Sequence, residues 1–261
     1  MTEFAITVFR LTNQRGYFVP CLNIGYLERD TGLEWRITCG GTRAYFVRFG
    51  SKVSDNTAAE SADSHFMANR VTGSLLMAGA GLFQPEAMGR LFFRGVEGAV
   101  TWTSQLDVAG RSCDKEPCVL VERVYDWYKA ICDHKLLRRA VDDAHLALSH
   151  SHEALIFVYR GLEWLKLGQG IEWAQLANDM GGTEDDLREL KKTANYETGV
   201  RHATPSGSKM RALADNYGTW VCGLIDAINA ARSRLDPAFK RMGPDEVGNA
   251  VLKAMPVVPY P

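Results

Sequence analysis

The 261 residues are enough for one large domain or two smaller ones, each with its own core. A hydrophobic share of 46%, a charged share of 23% and a net charge of −1 are those of an ordinary globular chain. They exclude any global attraction to nucleic acid or to an anionic membrane, so an anion site has to be a local patch. The most apolar run, residues 71–83, is interrupted by Gly73, Gly79 and Gly81 and is too short to cross a bilayer. The start Met-Thr-Glu-Phe carries an acid where a signal peptide carries basic residues, so a cytoplasmic protein without membrane contact is expected.

Residues 2–49 read as strands. Phe4, Ile6 and Val8 alternate with Ala5, Thr7 and Phe9, and the stretches 22–26, 35–39 and 44–49 repeat the pattern between the turn signals 29–32 and 40–42. The expected arrangement is an antiparallel meander with one buried face. The small polar residues 50–64 read as a surface loop, and glycines through 65–94 limit any helix there to short or interrupted pieces. The pair Gly79-Ala-Gly81 lacks a third glycine and a preceding strand, which leaves close backbone packing as its reading. Residues 99–108 read as one more strand.

From about Val119 the period changes. Leu120, Val124, Trp127 and Ile131 lie on one helix face, and Val141, Ala144 and Leu148 continue or restart it beyond Arg138-Arg139. Cys113, Cys118, Cys132 and His134 are soft ligands, but Cys132 and His134 point about 200° apart on a helix, against zinc. Cys21, Cys39 and Cys222 sit among apolar neighbours as small core residues. His145, His150 and His152 straddle a helix break marked by Ser149 and Ser151, two good N-cap residues, and need not converge on a metal. The expectation is neither metal nor cofactor.

Residues 153–167 form the most apolar helical segment and belong at the centre of a bundle. Arg160, Glu163 and Lys166 make one polar stripe on it. This is either a solvated face with an Arg160–Glu163 pair or the lining of a polar site shared with Arg201 and His202. A short helix at 171–180 ends at Gly181-Gly182, and Thr183 with Asp186 three residues on reads as a capping box for the next. A long bundle helix is expected over residues 208–235, then a proline-rich extended tail.

Between the last two helices lies Ala194–Ala203, which gathers Asn195, Glu197, Arg201 and His202. Arg188, Lys191, Lys192, Arg201, Lys209 and Arg211 stand against Glu189 and Glu197, four positive charges in excess over residues 188–211. Such a segment suits an RNA or nucleotide phosphate, with Arg201 as a bidentate partner. Lys192 and Arg211, with Arg160 and Glu163, form the candidate binding set. If the chemistry is metal-free RNA cleavage, His202 takes the 2′-hydroxyl proton, Arg201 stabilises the crowded phosphate and Asn195 orients the ribose or the imidazole.

The helix Glu-Ala-Leu-Ile-Phe-Val-Tyr-Arg-Gly-Leu-Glu (153–163), followed by an Asn…Arg-His junction before a long final helix, resembles HEPN-type helical domains. More narrowly it resembles uncharacterised proteins of the methylamine-utilisation MauJ type. The resemblance covers about residues 144–235. It implies a helical bundle and a homodimer with the site near the two-fold axis. HEPN ribonucleases carry an arginine, often followed by asparagine, a few residues before the histidine. Here Ala194 precedes Asn195 and Arg201 adjoins His202. That departure implies a noncatalytic accessory or binding protein, with a divergent metal-independent ribonuclease of stress or phage defence as the alternative. A third class, an unrelated enzyme or ligand-binding protein built on the β-rich half, has no motif: there is no Gly-x-Ser-x-Gly, Walker loop or His-Glu-x-x-His. The expected class is α+β, with a β-rich region 1–118, a helical region 119–240 and a Pro-rich tail 241–261.

Overall fold

The computed structural model describes residues 2–13, 19–27, 34–49, 57–96, 118–196, 217–239 and 241–255. The chain is α+β: an N-terminal five-stranded antiparallel sheet is followed by a helical C-terminal part. By compactness it divides into two units, Met1–Leu75 with Phe83–Asp126, and Leu76–Leu82 with Trp127–Pro261. Among the described residues no helix is long and apolar enough to cross a membrane.

In the first unit the strands are β1 (Thr2–Thr12), β2 (Val19–Leu27), β3 (Glu34–Gly41), β4 (Arg43–Phe49) and β5 (Gln84–Val96). Their order is β2-β3-β4-β1-β5, so the expected meander holds only for β2, β3 and β4. Gly41, with φ +62°, makes the tight β3–β4 turn that the Gly-Gly-Thr signal predicts. β1 lies between β4 and β5 and is antiparallel to both, so β4 and β5 run parallel to each other. Parallel strands cannot be joined by a tight turn and need a crossover, usually helical. That crossover is α1 (Thr57–Met77), where a loop and broken helices are expected from composition. Met67, Ala68, Val71 and Leu75 are all buried at helical spacing, which outweighs the cost of Gly73 in the helix interior, about 1 kcal/mol.

α1 covers the sheet face that carries Thr7 and Phe9. Thr7 Oγ1 and Ser64 Oγ lie 2.9 Å apart, the His65 ring meets Phe9 edge-on at 5.0 Å, and Asp63 pairs with the buried Arg48 at 3.2 Å. The opposite face is not simply solvated, as a one-sided sheet requires. Ile6 and Val47 are buried there with Val8, Tyr45 and Phe49 around them. The two prolines within strands, Pro20 and Pro85, both fall on edge strands, where a missing N–H costs no ladder bond. Cys39 is a core residue as expected, and burial pushes its thiol up to about 12, far from the reactive thiolate range. Cys21 and Cys222 are only partly buried.

The helical elements are α2 (Cys118–Asp133), α3 (Lys135–Ser149), a 3-10 turn (Ser151–Glu153), α4 (Ala154–Gln169), α5 (Trp173–Asp179), α6 (Glu184–Tyr196), α7 (Tyr217–Leu235) and α8 (Pro244–Ala254). α4 packs on α3, α5, α6 and α7, the central place its apolar circumference requires. Gly161 permits the α4–α7 crossing: a Cβ there would stand 3.0 Å from both Leu224 methyls and 3.4 Å from Asp143 Cβ. Gly168, two turns on, lies equally close to Leu136 of α3.

The break after α3 occurs where expected, but Ser149 does not cap the next helix. Its hydroxyl donates back to His145 O at 2.9 Å, and His150 closes α3 through its N–H to Leu146 O. The capping box at α6 forms as read: Asp186 N donates to Thr183 Oγ1 and Thr183 N donates to Asp186 Oδ2 at 2.8 Å. The Thr183 hydroxyl and then its backbone N–H hold the Asp186 carboxyl below the usual carboxylate range. Its stabilising effect is therefore present above the ordinary carboxylate value and fades as pH falls through the folded one. Thr183→Ala should cost about 1 kcal/mol in urea denaturation near neutral pH. An unchanged midpoint would show that the box contributes nothing.

Two further expectations are corrected. The tail is not extended throughout, since residues 244–254 form α8. Val247, Ala250, Val251 and Ala254 give it a buried face, with Pro244 at the first turn and Glu246 accepting from Gly243 N at 2.9 Å. Gly79 serves backbone conformation rather than close packing, and Gly81 shares its positive φ. The angles are +81° and +120°, and the nearest neighbour of a Cβ at Gly79 would be an ordinary 3.8 Å away. The expected strand at 99–108 and the first part of the 208–235 helix lie outside the described residues.

Candidate functional site on the α3–α4 face

Asp143 sits on α3 between Ala140, Val141, Ala144 and Ala147, all buried. An ionised carboxylate in that position needs partners, because desolvating it alone costs far more than a helix contributes. Arg160, from the facing side of α4, supplies them. Its Nε donates to Asp143 Oδ1 and Oδ2 at 2.9 and 3.0 Å, and its Nη2 also donates to Oδ1. Trp164, one turn further along α4, also favours the ionised form of this carboxylate. Arg139, one turn before Asp143 on α3, lies with its guanidinium 4.3 Å over the Trp164 ring and adds its charge to the carboxylate's surroundings.

Burial pushes the Asp143 carboxyl above the usual range; hydrogen bonds and charge from Arg160, then Trp164 and Arg139, pull the other way without cancelling it. The Arg160 guanidinium is raised in turn, first by its bonds to Asp143. The Asp143 side chain is 3% exposed and that of Arg160 44%. The carboxylate is therefore the interior anchor, and the guanidinium reaches from it to the surface. There it lies 5.0 Å over Phe157, whose ring stands 6.1 Å from that of His150. None of the bonds to Asp143 uses Arg160 Nη1, so that edge is held in a set orientation with donors still to give.

Of the residues singled out in the sequence, Arg160 is engaged by Asp143 across two helices and not by Glu163 along its own. Glu163 is exposed on α4. Lys192 is exposed on α6 and pairs with Glu189 at 2.8 Å. Arg188 pairs with Asp185 at 2.6 Å and approaches Glu184 at 3.9 Å. α6 thus sets four acids, Glu184, Asp185, Asp186 and Glu189, against three bases, Arg188, Lys191 and Lys192. The excess counted over 188–211 omits the three acids just before it. Asn195 lies in the last turn of α6, its side chain outside what is described. Arg201, His202 and Arg211 lie outside the described residues, so the proposed Asn195–Arg201–His202 grouping does too. Among the described residues no group of three or more histidines, cysteines or carboxylates is placed to hold a metal.

Asp143, Trp164 and Arg139 were missed in the sequence, although one signal was available. An aspartate inside an alanine-rich buried stripe demands a cationic partner, and Arg160 is the cation on the neighbouring apolar helix. No protein-family model, curated protein or solved structure matches the chain significantly.

Proposed function

We propose that this chain is a noncatalytic binding protein of the HEPN-like, MauJ-type kind, whose helical unit holds a phosphate-bearing ligand, RNA or a nucleotide. The observation that supports the reading is the pair Arg139 and Arg160, two guanidiniums laid on aromatic rings beside one buried carboxylate. Such a pair is preorganised for the oxygens of a phosphate, because the ordering cost of the long side chains is met in the free protein. Asp143 is closed by Arg160, which bonds both its oxygens, and is no free base, which favours binding over catalysis. Homodimerisation and a cytoplasmic location belong to the same reading.

The test uses the full chain with mixed single-stranded RNA, followed by anisotropy for binding and by gel for cleavage in EDTA. Binding without cleavage is expected, and it weakens in Arg139→Gln. Cleavage that survives chelation and is lost in His202→Ala would replace this reading with the ribonuclease one.

A further inference from the structure

The helical unit contains a cleft of about 250 Å³ where the start of α3 meets the ends of α4 and α7, one of whose walls is Trp164, the ring that carries Arg139. Its walls include Leu136, Leu235 and Trp164, its floor passes Gly168, and His134 and Gln169 bring polar groups to it. Whole-ligand pockets usually run to about 300–1,000 Å³, so this one suits a single ring system and not a large cofactor. Gly168 keeps the floor low, since a Cβ there would meet Leu136 at 3.0 Å. Trp164 belongs to both places: it lines the cleft and carries Arg139 on its ring.

We propose that this cleft takes the base of a nucleotide whose phosphate lies at Arg139 and Arg160. The proposal rests on the phosphate-binding reading above and adds its base subsite. An aromatic wall with apolar neighbours accepts the flat faces of any base, and the His134 imidazole offers a donor and an acceptor to its edge, while the Gln169 carboxamide, its oxygen already accepting from Arg234 Nε, adds its amide N–H donors. An aliphatic side chain of a protein partner would use the walls but leave the His134 imidazole at the cleft without a role.

The experiment compares two labelled probes on the full chain by anisotropy: a short mixed-sequence single-stranded RNA and an abasic strand with the same number of phosphates. Wild type should bind the RNA roughly tenfold more tightly than the abasic strand. Leu235→Trp, which fills the cleft from its exposed wall, should bind both at the abasic level. If wild type binds the two probes equally, or if Leu235→Trp keeps the tenfold preference, the base subsite is overturned while the phosphate reading stands. Binding of neither probe overturns both. If Leu235→Trp melts below wild type, His134→Ala supplies the same readout, loss of preference supporting the subsite and retention overturning it.

Discussion

Arg160→Ala lowers the stability of the helical unit by about 2–3 kcal/mol at neutral pH, measured by urea denaturation with tryptophan fluorescence. Removing one member of a buried pair costs about 3–5 kcal/mol because the other charge is left dry. Arg160 is 44% exposed, so water follows its removal part of the way and the figure is reduced accordingly, to about 2–3 kcal/mol. Asp143→Ala should cost less, about 1 kcal/mol, since the stranded guanidinium can turn to solvent and the stranded carboxylate cannot. The pH dependence follows from the sign of the Asp143 shift. Its folded value lies above the unfolded one, so the folded state holds more protons between the two. The contribution of this group is therefore complete below the ordinary carboxylate value and declines as pH rises through the folded one. Losing Arg160 raises the folded value further. The penalty of Arg160→Ala should then shrink on going from neutral to mildly acidic pH, as Asp143 takes up a proton. A penalty independent of pH would show that Asp143 is not the group left uncompensated.

Gly161→Val should cost about 2 kcal/mol, while Gly161→Ala stays within about 1 kcal/mol of wild type. The first methyl would stand 3.0 Å from two Leu224 carbons, the tips of a flexible side chain that can move a few tenths of an ångström. The helix-propensity gain of alanine over glycine, about 1 kcal/mol, offsets that movement. Valine adds a branch with one preferred rotamer in a helix and Asp143 Cβ close behind it, so Leu224 has to leave its site. Equal stability of the valine variant would mean that α4 and α7 are less tightly apposed than these distances imply.

How far the chain could be read depended on how local each signal was. The strands up to residue 49, the helices between residues 118 and 235 and the Thr183–Asp186 cap all follow from patterns a few residues long. α1 was hidden because its first turns are small and polar, and because its existence is required by topology: β5 must reach the far side of β1. α8 was hidden by averaging over the prolines on either side of it, although the Gly243-Pro244 start and the spacing of Val247, Ala250, Val251 and Ala254 mark a helix. The site shows the same division. Arg160 stood out as a charge on an apolar helix, but its partner lies seventeen residues earlier on a different helix, beyond any single-helix pattern. The charge over residues 188–211 is local in the same sense, since the three acids of the first turn of α6 lie just before that window.

The most direct test of the phosphate site is the salt dependence of RNA binding. For single strands each neutralised phosphate contributes about −0.7 to the slope of log K against log salt, so two arginines contribute about −1.4. Arg139→Gln should weaken binding and make the slope shallower by about 0.7. A slope and affinity unchanged by that substitution, or no binding by the wild-type chain at low salt, would contradict the assignment.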